Sequence, residues 1–467
     1  MLAFWLSALM TPRQVLTIAA LLAQQLAFSQ APTLDFEFFK QSVQPIFLKK
    51  RLGHARCMTC HEHRSPPLAS LSPAAFTWNE VQSRQNFAIW KQFVTPGNPL
   101  KSKMLLHPLA TAAGGDSFHG GGKHWTSQRD PEWSTLARWV RGEKADSAPA
   151  SAARVLQTNS AGDSVHIIDP ATNEVAGLIE DIEVPHGAVI APDGSRVYVT
   201  NESRTTLDVV EAPLLKVIKR IPLSGHPNNV DVSKDGAHVY VGIRQGAGAV
   251  DVIDTATLKN VKSIPVKGEI HNVYVTPDGK YVVAGSIAAS TISVIDERTK
   301  TLAWTLTLSA GIRPMAFTRN PDGSTKEIIV QLTDFHGFAV VDFQTRKEVR
   351  RIALPDPPGQ HKETEGLQGS PSHGLAITPD GKMLWATSKY YHSVAAYSLP
   401  DFKFLKMITV GLHPDWLTIP PDGKNLYVGV AGDDVTAVVG IESMQVVKVI
   451  PVGSVPKRIV SGLLRIR

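Results

Sequence analysis

The sequence predicts a small all-α domain followed by an all-β propeller of seven blades. The segment before residue 144 contains the pattern CMTCH between two stretches whose apolar residues recur at helical spacing. After residue 153, a Pro-Asp-Gly or Lys-Asp-Gly turn recurs with its glycine at positions 194, 236, 279, 323, 381 and 423. The intervals of 42, 43, 44, 58 and 42 residues match the length of a four-stranded propeller blade.

The composition is that of a folded protein with a large core. Hydrophobic residues make up 43% and charged residues 19% of the 467-residue chain. The net charge of +6 is dispersed, and the longest basic cluster is KKR at 49–51. This pattern is typical of ordinary solubility and does not indicate a nucleic-acid partner.

Residues 1–29 are predicted to be a signal peptide. Arg13 precedes an apolar stretch that ends with Ala27 and Ser29 in small-x-small spacing, so cleavage is expected after Ser29. The alternative is an uncleaved membrane anchor, although the apolar run is short for a full span. The mature protein is expected to be periplasmic or otherwise exported, without a membrane span.

The only two cysteines, Cys57 and Cys60, are followed directly by His61. Cysteines of exported proteins often form disulfides, but a C-x-x-C bridge closes a very small loop and stabilises little. A zinc site would need two more soft ligands, and only His54 and His63 are nearby. The pattern instead matches c-type haem attachment, with thioethers at both cysteines and iron ligation by His61.

Helices are predicted on both sides of this motif. Pro45 is expected to kink or restart the first helix. The second begins with Asp130 as N-cap and Pro131 at the first helical position, and it ends at Gly142. The apolar positions of the two helices are Phe36, Phe39, Val43 and Phe47, and Trp133, Leu136 and Val140.

Residues 36–143 resemble cytochrome c domains in which V-x-P-I-F and C-x-x-C-H are followed by G-x-P-x-x-S and a closing L-x-x-W helix. The matching segments here are VQPIF, GNPLKS and LARWV. The resemblance implies a cytochrome c-like haem domain over residues 30–143. In such relatives a Met-Pro segment before the last helix usually supplies the sixth iron ligand.

This chain departs from that pattern, because it has FHGGGKHW at the corresponding place. His119 is therefore our first choice for the sixth ligand, ahead of His107, Met104 and His124. An imidazole in place of a thioether would lower the reduction potential. The alternative is that His119 is a surface residue and that Met104 binds the iron or the position stays open.

The small, polar stretch 144–153 is predicted to be a linker, and residues 154–467 the propeller. Residues 154–184 contain three strands of a blade without its inner strand, and VPKRIVSGLLRIR at the C-terminus has the pattern of an inner strand without a following blade. Pairing these strands closes the ring and gives seven blades. The alternative is a β-sandwich with chance similarity between its turns.

The repeats APDGSRVYVTN and TPDGKYVVAGS resemble the YVTN family of propeller repeats. This resemblance implies the fold over residues 154–467 and says little about function.

The histidines of the propeller are unevenly placed. His186, His271 and His373 lie eight residues before the Asp-Gly glycine of their repeats, and His226 and His413 lie ten before it. Because eight and ten differ by two, an extended strand would direct all five to one side. The further residues expected on this face are Arg313, His336, His361 and His392.

Two interpretations of this histidine-rich face remain open. The imidazoles could bind a transition metal or a second haem-like cofactor, or move protons at a redox site. They could equally be turn residues that form hydrogen bonds with neighbouring carbonyls.

The combined prediction is a periplasmic c-type haem protein that transfers electrons between its haem and the histidine-rich face, with a redox partner protein or a small-molecule donor or acceptor. The alternative is a non-catalytic electron-transfer or binding module that uses the propeller as a docking platform. If the protein is an enzyme, it is expected to be an oxidoreductase, since no G-x-S-x-G hydrolase motif is present.

The order of domains partly resembles cytochrome cd1 nitrite reductases, whose propellers have eight blades. The ringed histidines also resemble the copper-binding propeller of nitrous oxide reductase, whose second, cupredoxin domain has no counterpart here.

Overall fold

The computed structural model describes residues 32–51, 53–71, 77–145, 151–365 and 370–465. The predicted signal peptide lies outside these ranges. The chain divides into two compact units, Met1–Asp146 and Ser147–Arg467. Within the described ranges, no helix is both long enough and apolar enough to cross a membrane.

The first unit is built from short helices. The α-helices are α1 (Phe36–Phe38), α2 (Gln44–Leu48), α3 (Cys57–His61), α4 (Glu80–Trp90), α5 (Lys103–Leu106) and α6 (Pro131–Val140). A π-helical turn (Phe39–Val43) joins α1 to α2, and 3₁₀ turns span Lys91–Phe93, Pro99–Lys101 and Thr111–Ala113.

The predicted disturbance at Pro45 takes the form of that π-helical turn. Proline has no N–H and clashes with the carbonyl four residues before it, so the regular hydrogen-bond ladder cannot continue through it. Over Phe39–Val43 the helix is wider, with hydrogen bonds between residues i and i+5, and a regular α-helix, α2, follows. At the start, the Asp35 side chain accepts a hydrogen bond from Phe38 N at 2.7 Å and caps α1.

Helix α6 has the predicted ends and the predicted buried face. Asp130 Oδ1 accepts from Glu132 N at 2.9 Å, and Gly142 adopts φ +84° just after the helix. A side chain at Gly142 would also collide with Pro32, because a Cβ there would lie 2.3 Å from the proline Cβ. The buried face consists of Trp133, Leu136, Ala137, Trp139 and Val140.

The second unit consists of seven four-stranded antiparallel sheets. The strands are β1 (Ser151–Asn159), β2 (Val165–Asp169), β3 (Glu174–Ile179), β4 (Pro185–Ile190), β5 (Arg196–Asn201), β6 (Thr206–Glu211), β7 (Lys216–Pro222), β8 (Pro227–Val232), β9 (His238–Ile243), β10 (Ala249–Asp254), β11 (Lys259–Pro265), β12 (Ile270–Val275), β13 (Tyr281–Ser286), β14 (Thr291–Asp296), β15 (Thr301–Thr307), β16 (Ile312–Arg319), β17 (Thr325–Leu332), β18 (Gly337–Asp342), β19 (Lys347–Ala353), β20 (Leu375–Ile377), β21 (Met383–Ser388), β22 (Ser393–Ser398), β23 (Phe404–Thr409), β24 (Pro414–Thr418), β25 (Asn425–Val430), β26 (Val435–Gly440), β27 (Gln445–Pro451) and β28 (Pro456–Arg465).

The seven sheets are the blades of the predicted propeller. Strands β4, β8, β12, β16, β20, β24 and β28 are the inner strands, and neighbouring inner strands contact one another. The apolar core lies between adjacent blades: Leu156 and Val165 of one sheet pack against Ala188 and Val199 of the next.

One blade combines strands from both ends of the propeller sequence. Its strand order is β28-β1-β2-β3, and β1 pairs with β28 so that Leu156 lies opposite Val460. Strand β1 begins at Ser151, three residues inside the stretch predicted as a linker. The long C-terminal strand supplies hydrogen-bond partners that far back, since Ser151 still pairs with Arg465.

Candidate haem site and propeller axis

A cavity of about 360 Å³ lies in the first unit, beside the CMTCH helix. Its volume is within the usual range of small-molecule and cofactor sites, roughly 300–1,000 Å³. Cys57, Cys60 and His61 line one wall, and His119 lines the cavity as well. The apolar part of the lining is Ile46, Phe47, Trp90, Phe93, Trp125 and Leu136.

Helix α3 places both thiols on the cavity within one helical turn. The two thiols are half-buried, and no disulfide joins them. Burial raises the pKa of the Cys57 thiol, although Arg51 lies close, with Nη1 at 3.8 Å from Cys57 Sγ. Arg51 is held in turn by the Glu132 carboxylate of α6, with 2.7 Å between Nε and Oε2.

His61 is oriented by its Nδ1 atom, which lies 2.8 Å from the Pro66 carbonyl oxygen. A carbonyl accepts only, so Nδ1 carries the proton and Nε2 keeps a lone pair for a metal. The Trp90 ring packs edge-on against the imidazole at 5.0 Å between centroids. Trp90 is fixed by its own indole N–H, which donates to the Pro67 carbonyl at 3.1 Å.

His119 is oriented in the same manner and lines the same cavity as His61. Its Nδ1 lies 2.7 Å from the Gly122 carbonyl oxygen, so Nδ1 carries the proton and Nε2 keeps a lone pair. The two imidazole centroids are 6.4 Å apart and their planes differ by 17°. Two imidazoles that bind one metal from opposite sides, with bonds of about 2 Å, have centroids roughly 6 to 6.5 Å apart.

The other candidates for a sixth ligand line the same cavity but have different immediate neighbours. Met104 is 5% exposed and belongs to the apolar core of the unit. His107 Nδ1 contacts the Asp116 carboxylate, and His124 packs against His54 with 4.5 Å between ring centroids. The assignment of the sixth ligand stays a prediction, and geometry favours His119 over these three.

In the propeller, the inner strands present one equivalent residue per blade near the axis. The equivalence follows from how each inner strand pairs with the second strand of its blade. The first residue of the inner strand lies opposite the last residue of the second strand, as in the pairs Pro185–Asn201, Ile270–Ser286 and Ile312–Leu332. We call the residues that follow these starting positions, together with His373, the axial ring. Its members are His186, Asn228, His271, Arg313, His373, Asp415 and Lys457. His373 is included because it lies eight residues before its Asp-Gly glycine, as His186 and His271 do, whereas the pairing of β20 begins only at Leu375.

Arg458, next to the ring in β28, forms hydrogen bonds with three other blades and packs on an aromatic ring of a fourth. Its Nε donates to His186 Nδ1 at 3.2 Å, Nη1 to Asn272 Oδ1 at 3.2 Å and Nη2 to Asn228 Oδ1 at 2.6 Å. The guanidinium carbon lies 3.8 Å from the centroid of the Trp416 ring. Burial lowers the pKa of Arg458 to about 10.

His373 and Asp415 form a buried pair in the ring. The imidazole Nδ1 contacts Asp415 Oδ1, and Lys389 Nζ lies 3.5 Å from Asp415 Oδ2. Burial opposes ionisation of Asp415, but these two neighbours hold its pKa well below the ordinary value. Burial lowers the pKa of His373 to about 4, against the opposing effect of Asp415. The pair is therefore an aspartate and a neutral imidazole near neutral pH.

The structure brings together three of the five histidines predicted as a second site. His186, His271 and His373 are in the axial ring, and the last two have centroids 5.8 Å apart. His413 instead packs against His392 at 5.5 Å, and the backbone N–H of His226 donates to Gln245 Oε1.

The expected common orientation of His226 and His413 assumes an extended backbone, and the backbone of His413 is not extended. Both residues precede the first residue of their strands, Pro227 and Pro414. His413 has φ +53°, so the alternation of an extended strand does not reach it. Within the described ranges, no three His, Cys, Asp or Glu side chains are arranged to hold a metal ion.

The remaining histidines of this set lie apart from the axial ring. His336 Nε2 is 2.7 Å from Ser388 Oγ, and its ring packs on Tyr390 at 4.7 Å between centroids. His361 is exposed.

Sequence reasoning missed three residues near the axis that form hydrogen bonds or ion pairs between blades: Arg458, Asp415 and Asn228. Asn228 and Asp415 lie eight residues before their Asp-Gly glycines, as His186 does, but the search for one residue type passed over them. A position-by-position comparison of the repeats would have found both.

No family model matches this chain, and no curated protein matches it. The resemblance to YVTN repeats therefore stays a prediction. Solved structures do share the fold. The chain is similar to hydrazine synthase of Kuenenia stuttgartiensis at 22% identity and a TM-score of 0.54, over 64% of this chain and 97% of that one.

Two further similar structures are lactonases. One is a putative 6-phosphogluconolactonase from Bacteroides fragilis NCTC 9343, with 18% identity and a TM-score of 0.55 over 68% of this chain and 99% of that one. The other is the periplasmic gluconolactonase of Pseudomonas aeruginosa, with 19% identity and a TM-score of 0.55 over 66% and 99%. At such identities the similarity establishes that the second unit is a β-propeller.

Proposed function

We propose that the chain is a periplasmic c-type haem redox protein that exchanges electrons between its haem and the histidine-rich face of the propeller. The observation that carries the proposal is the neighbouring pair His61 and His119 in the wall of the cavity. Each ring is anchored at Nδ1 by a backbone carbonyl, and the distance between them suits one metal ion. The CMTCH helix lines the same cavity.

The residues of the cavity fit the parts of a haem group. Cys57 and Cys60 would form the two thioethers, and His61 and His119 would hold the iron. When bound, the haem supplies one-electron chemistry. The apolar lining keeps water from the cofactor, and exposed Arg56 can neutralise a carboxylate of the haem edge.

Production in a host that matures c-type cytochromes tests this proposal. The expected product is coloured, contains one iron per chain and keeps its haem through acid-acetone extraction and a denaturing gel. The double variant Cys57→Ala, Cys60→Ala should lose the covalent haem, whereas the propeller should keep its far-ultraviolet β-sheet spectrum. A colourless wild-type protein from that host would exclude the redox function.

A non-catalytic binding module is the second candidate, and the hydrogen bonds of the axial histidines favour it. Nδ1 of His186 accepts from Arg458, Nδ1 of His271 lies 2.8 Å from Asn272 Nδ2, and Nδ1 of His373 contacts Asp415. Imidazoles whose Nδ1 atoms already contact other side chains of the protein can have a purely structural role. Metal analysis separates the candidates: iron alone at one per chain supports the binding module, and a second metal or a second haem spectrum supports a redox site in the propeller.

Export is supported by the sequence of residues 1–29. The expected N-terminus of the mature protein is Gln30, and N-terminal sequencing of protein from the periplasmic fraction checks it. An N-terminus at Met1 in membrane-bound protein would instead show an uncleaved anchor.

A further inference from the structure

The axial ring carries more positive than negative charge. Two buried cations beside the ring are Lys389 of the adjoining loop and Arg458, which are 3% and 4% exposed. The buried carboxylate among them is Asp415, which is already shared by His373 and Lys389. Buried charge without a counter-charge is costly, so this arrangement favours an added anion.

The excess of positive charge is clearest at Arg458. Its guanidinium donates to an imidazole, to two side-chain amides and to the His271 carbonyl at 3.3 Å, all of which are neutral acceptors. No carboxylate of the described residues is paired with it. Asp415 and Glu202 act on Arg458 electrostatically without an ion pair, and Glu202 Oε1 lies 3.9 Å from His186 Nε2.

Two donors next to Arg458 are available to a ligand. The amide of Asn228 is fully buried and its oxygen faces Arg458, so its Nδ2 atom is a donor, and that atom has no partner among the described residues. Asn272 Oδ1 accepts a hydrogen bond from Arg458, and Asn272 Nδ2 donates one to His271 Nδ1. The neutral His271 ring therefore carries its proton on Nε2 and can donate from there.

We infer that the axial ring binds a small oxyanion, with Arg458 as the counter-charge and Asn228 Nδ2 and His271 Nε2 as hydrogen-bond donors. An oxyanion would supply both the negative charge that Arg458 lacks and acceptor oxygens for the two donors. The inference deepens the proposed function, since it assigns a ligand class to the histidine-rich face on which that function rests.

The variant Asn228→Asp tests the inference without breaking the network. Its carboxylate would take the place of the amide oxygen 2.6 Å from Arg458 Nη2 and would act as a built-in anion. The wild-type holoprotein should bind phosphate, sulfate or acetate in calorimetric titrations and should show a higher melting temperature than in sodium chloride of equal ionic strength. Asn228→Asp should melt higher than wild type without these anions and should bind them at least tenfold more weakly.

Asn320→Asp is the matched control, because it adds the same charge in a turn where Asn320 donates to Ser324 Oγ at 3.0 Å. It should bind anions as wild type does. The relative affinities of acetate and of the two inorganic anions show whether the natural ligand is a carboxylate or an inorganic oxyanion. The inference is wrong if none of the three anions binds, or if Asn228→Asp binds them as tightly as wild type.

The haem spectrum of the same samples keeps the two proposals distinguishable. Haem-loaded protein that binds no oxyanion overturns the axial site alone. Colourless protein that binds oxyanions overturns the redox function and supports the axial site.

Discussion

The partner of Nδ1 decides what each imidazole in this protein can do. In the first unit, Nδ1 of His61 and Nδ1 of His119 lie against backbone carbonyls, so each Nε2 keeps a lone pair that a metal could use. In the propeller, His186 and His271 accept at Nδ1 and therefore carry the proton on Nε2. Nε2 of the imidazole thus carries a lone pair in the first unit and a hydrogen that can be donated in the propeller.

Replacing His119 by alanine tests the sixth ligand. We expect His119→Ala to keep its covalent haem but to convert nearly all of it from the six-coordinate, low-spin to the five-coordinate or water-bound, high-spin visible spectrum, because Nε2 of that ring would be lost. His124→Ala and Met104→Leu are the controls and should keep the wild-type spectrum. A low-spin spectrum in His119→Ala, or its loss in either control, would reassign the ligand.

His336 should make the propeller less stable in acid. Burial lowers its pKa to about 4, with Asp356 opposing and Lys362 reinforcing that shift. The unfolded chain takes up the proton near pH 6.5, so folding stability falls as the pH drops from about 6.5 to about 4, by up to about 3 kcal/mol. His336→Gln should lose that part of the pH dependence.

Urea unfolding at about pH 7.5 and about pH 4.5 measures this difference. Wild type should lose more stability than His336→Gln between the two values. Because other buried histidines titrate equally in both proteins, their effect cancels in the comparison. Equal losses in the two proteins would show that His336 takes up a proton in the folded state as readily as in the unfolded chain.

At the scale of single elements, backbone conformation explains both the successes and the failures of sequence reasoning. The N-cap Asp130 and the stop at Gly142 were predictable, since short side chains cap helices and glycine accepts positive φ. The orientation of the His413 side chain could not be predicted, because nothing in its residue type shows that its backbone adopts φ +53° before Pro414.

The loop between β9 and β10 contains two glycines that provide a matched test of backbone constraint. Gly248 has φ +85°, and a Cβ there would lie 1.8 Å from the Gly268 carbonyl oxygen. Gly246 has φ +63° and no atom within 4 Å of such a Cβ. Gly246→Ala should cost about 1 to 2 kcal/mol for the left-handed conformation alone. Gly248→Ala should cost at least about 3 kcal/mol, since the backbone must also move.

Denaturant unfolding of the two alanine variants checks this difference. Their equal stability would mean that the turn rearranges freely around Gly248 and that the close approach to Gly268 is not a constraint.

At the scale of the whole molecule, the repeat made the propeller predictable. The regular glycines gave the blade length, and the incomplete first blade indicated which strand was missing. The proposed haem-attachment residues Cys57 and Cys60 and the proposed iron ligand His61 could be named from the sequence because they lie within one short motif. The network around Arg458 was not, since its members come from four inner strands that only the closed arrangement brings together.

The two compact units should fold independently. A fragment of residues 147–467 contains all 28 described strands and the cores between the blades. We expect it to be soluble and to melt within a few degrees of the propeller transition of the full chain, as followed by β-sheet circular dichroism. A fragment that stays unfolded would show that the first unit contributes to the stability of the propeller.

The blade that joins β1 to β28 also fixes the order of events during synthesis. A ribosome delivers β1 first and β28 last, so the first-made edge of the sheet waits for its partner until translation of this segment is finished. During that interval the nascent chain exposes an unpaired strand to other chains. A chaperone that shields strand edges would therefore raise the yield of folded protein, and premature stop codons that remove β28 would leave an open, aggregation-prone ring.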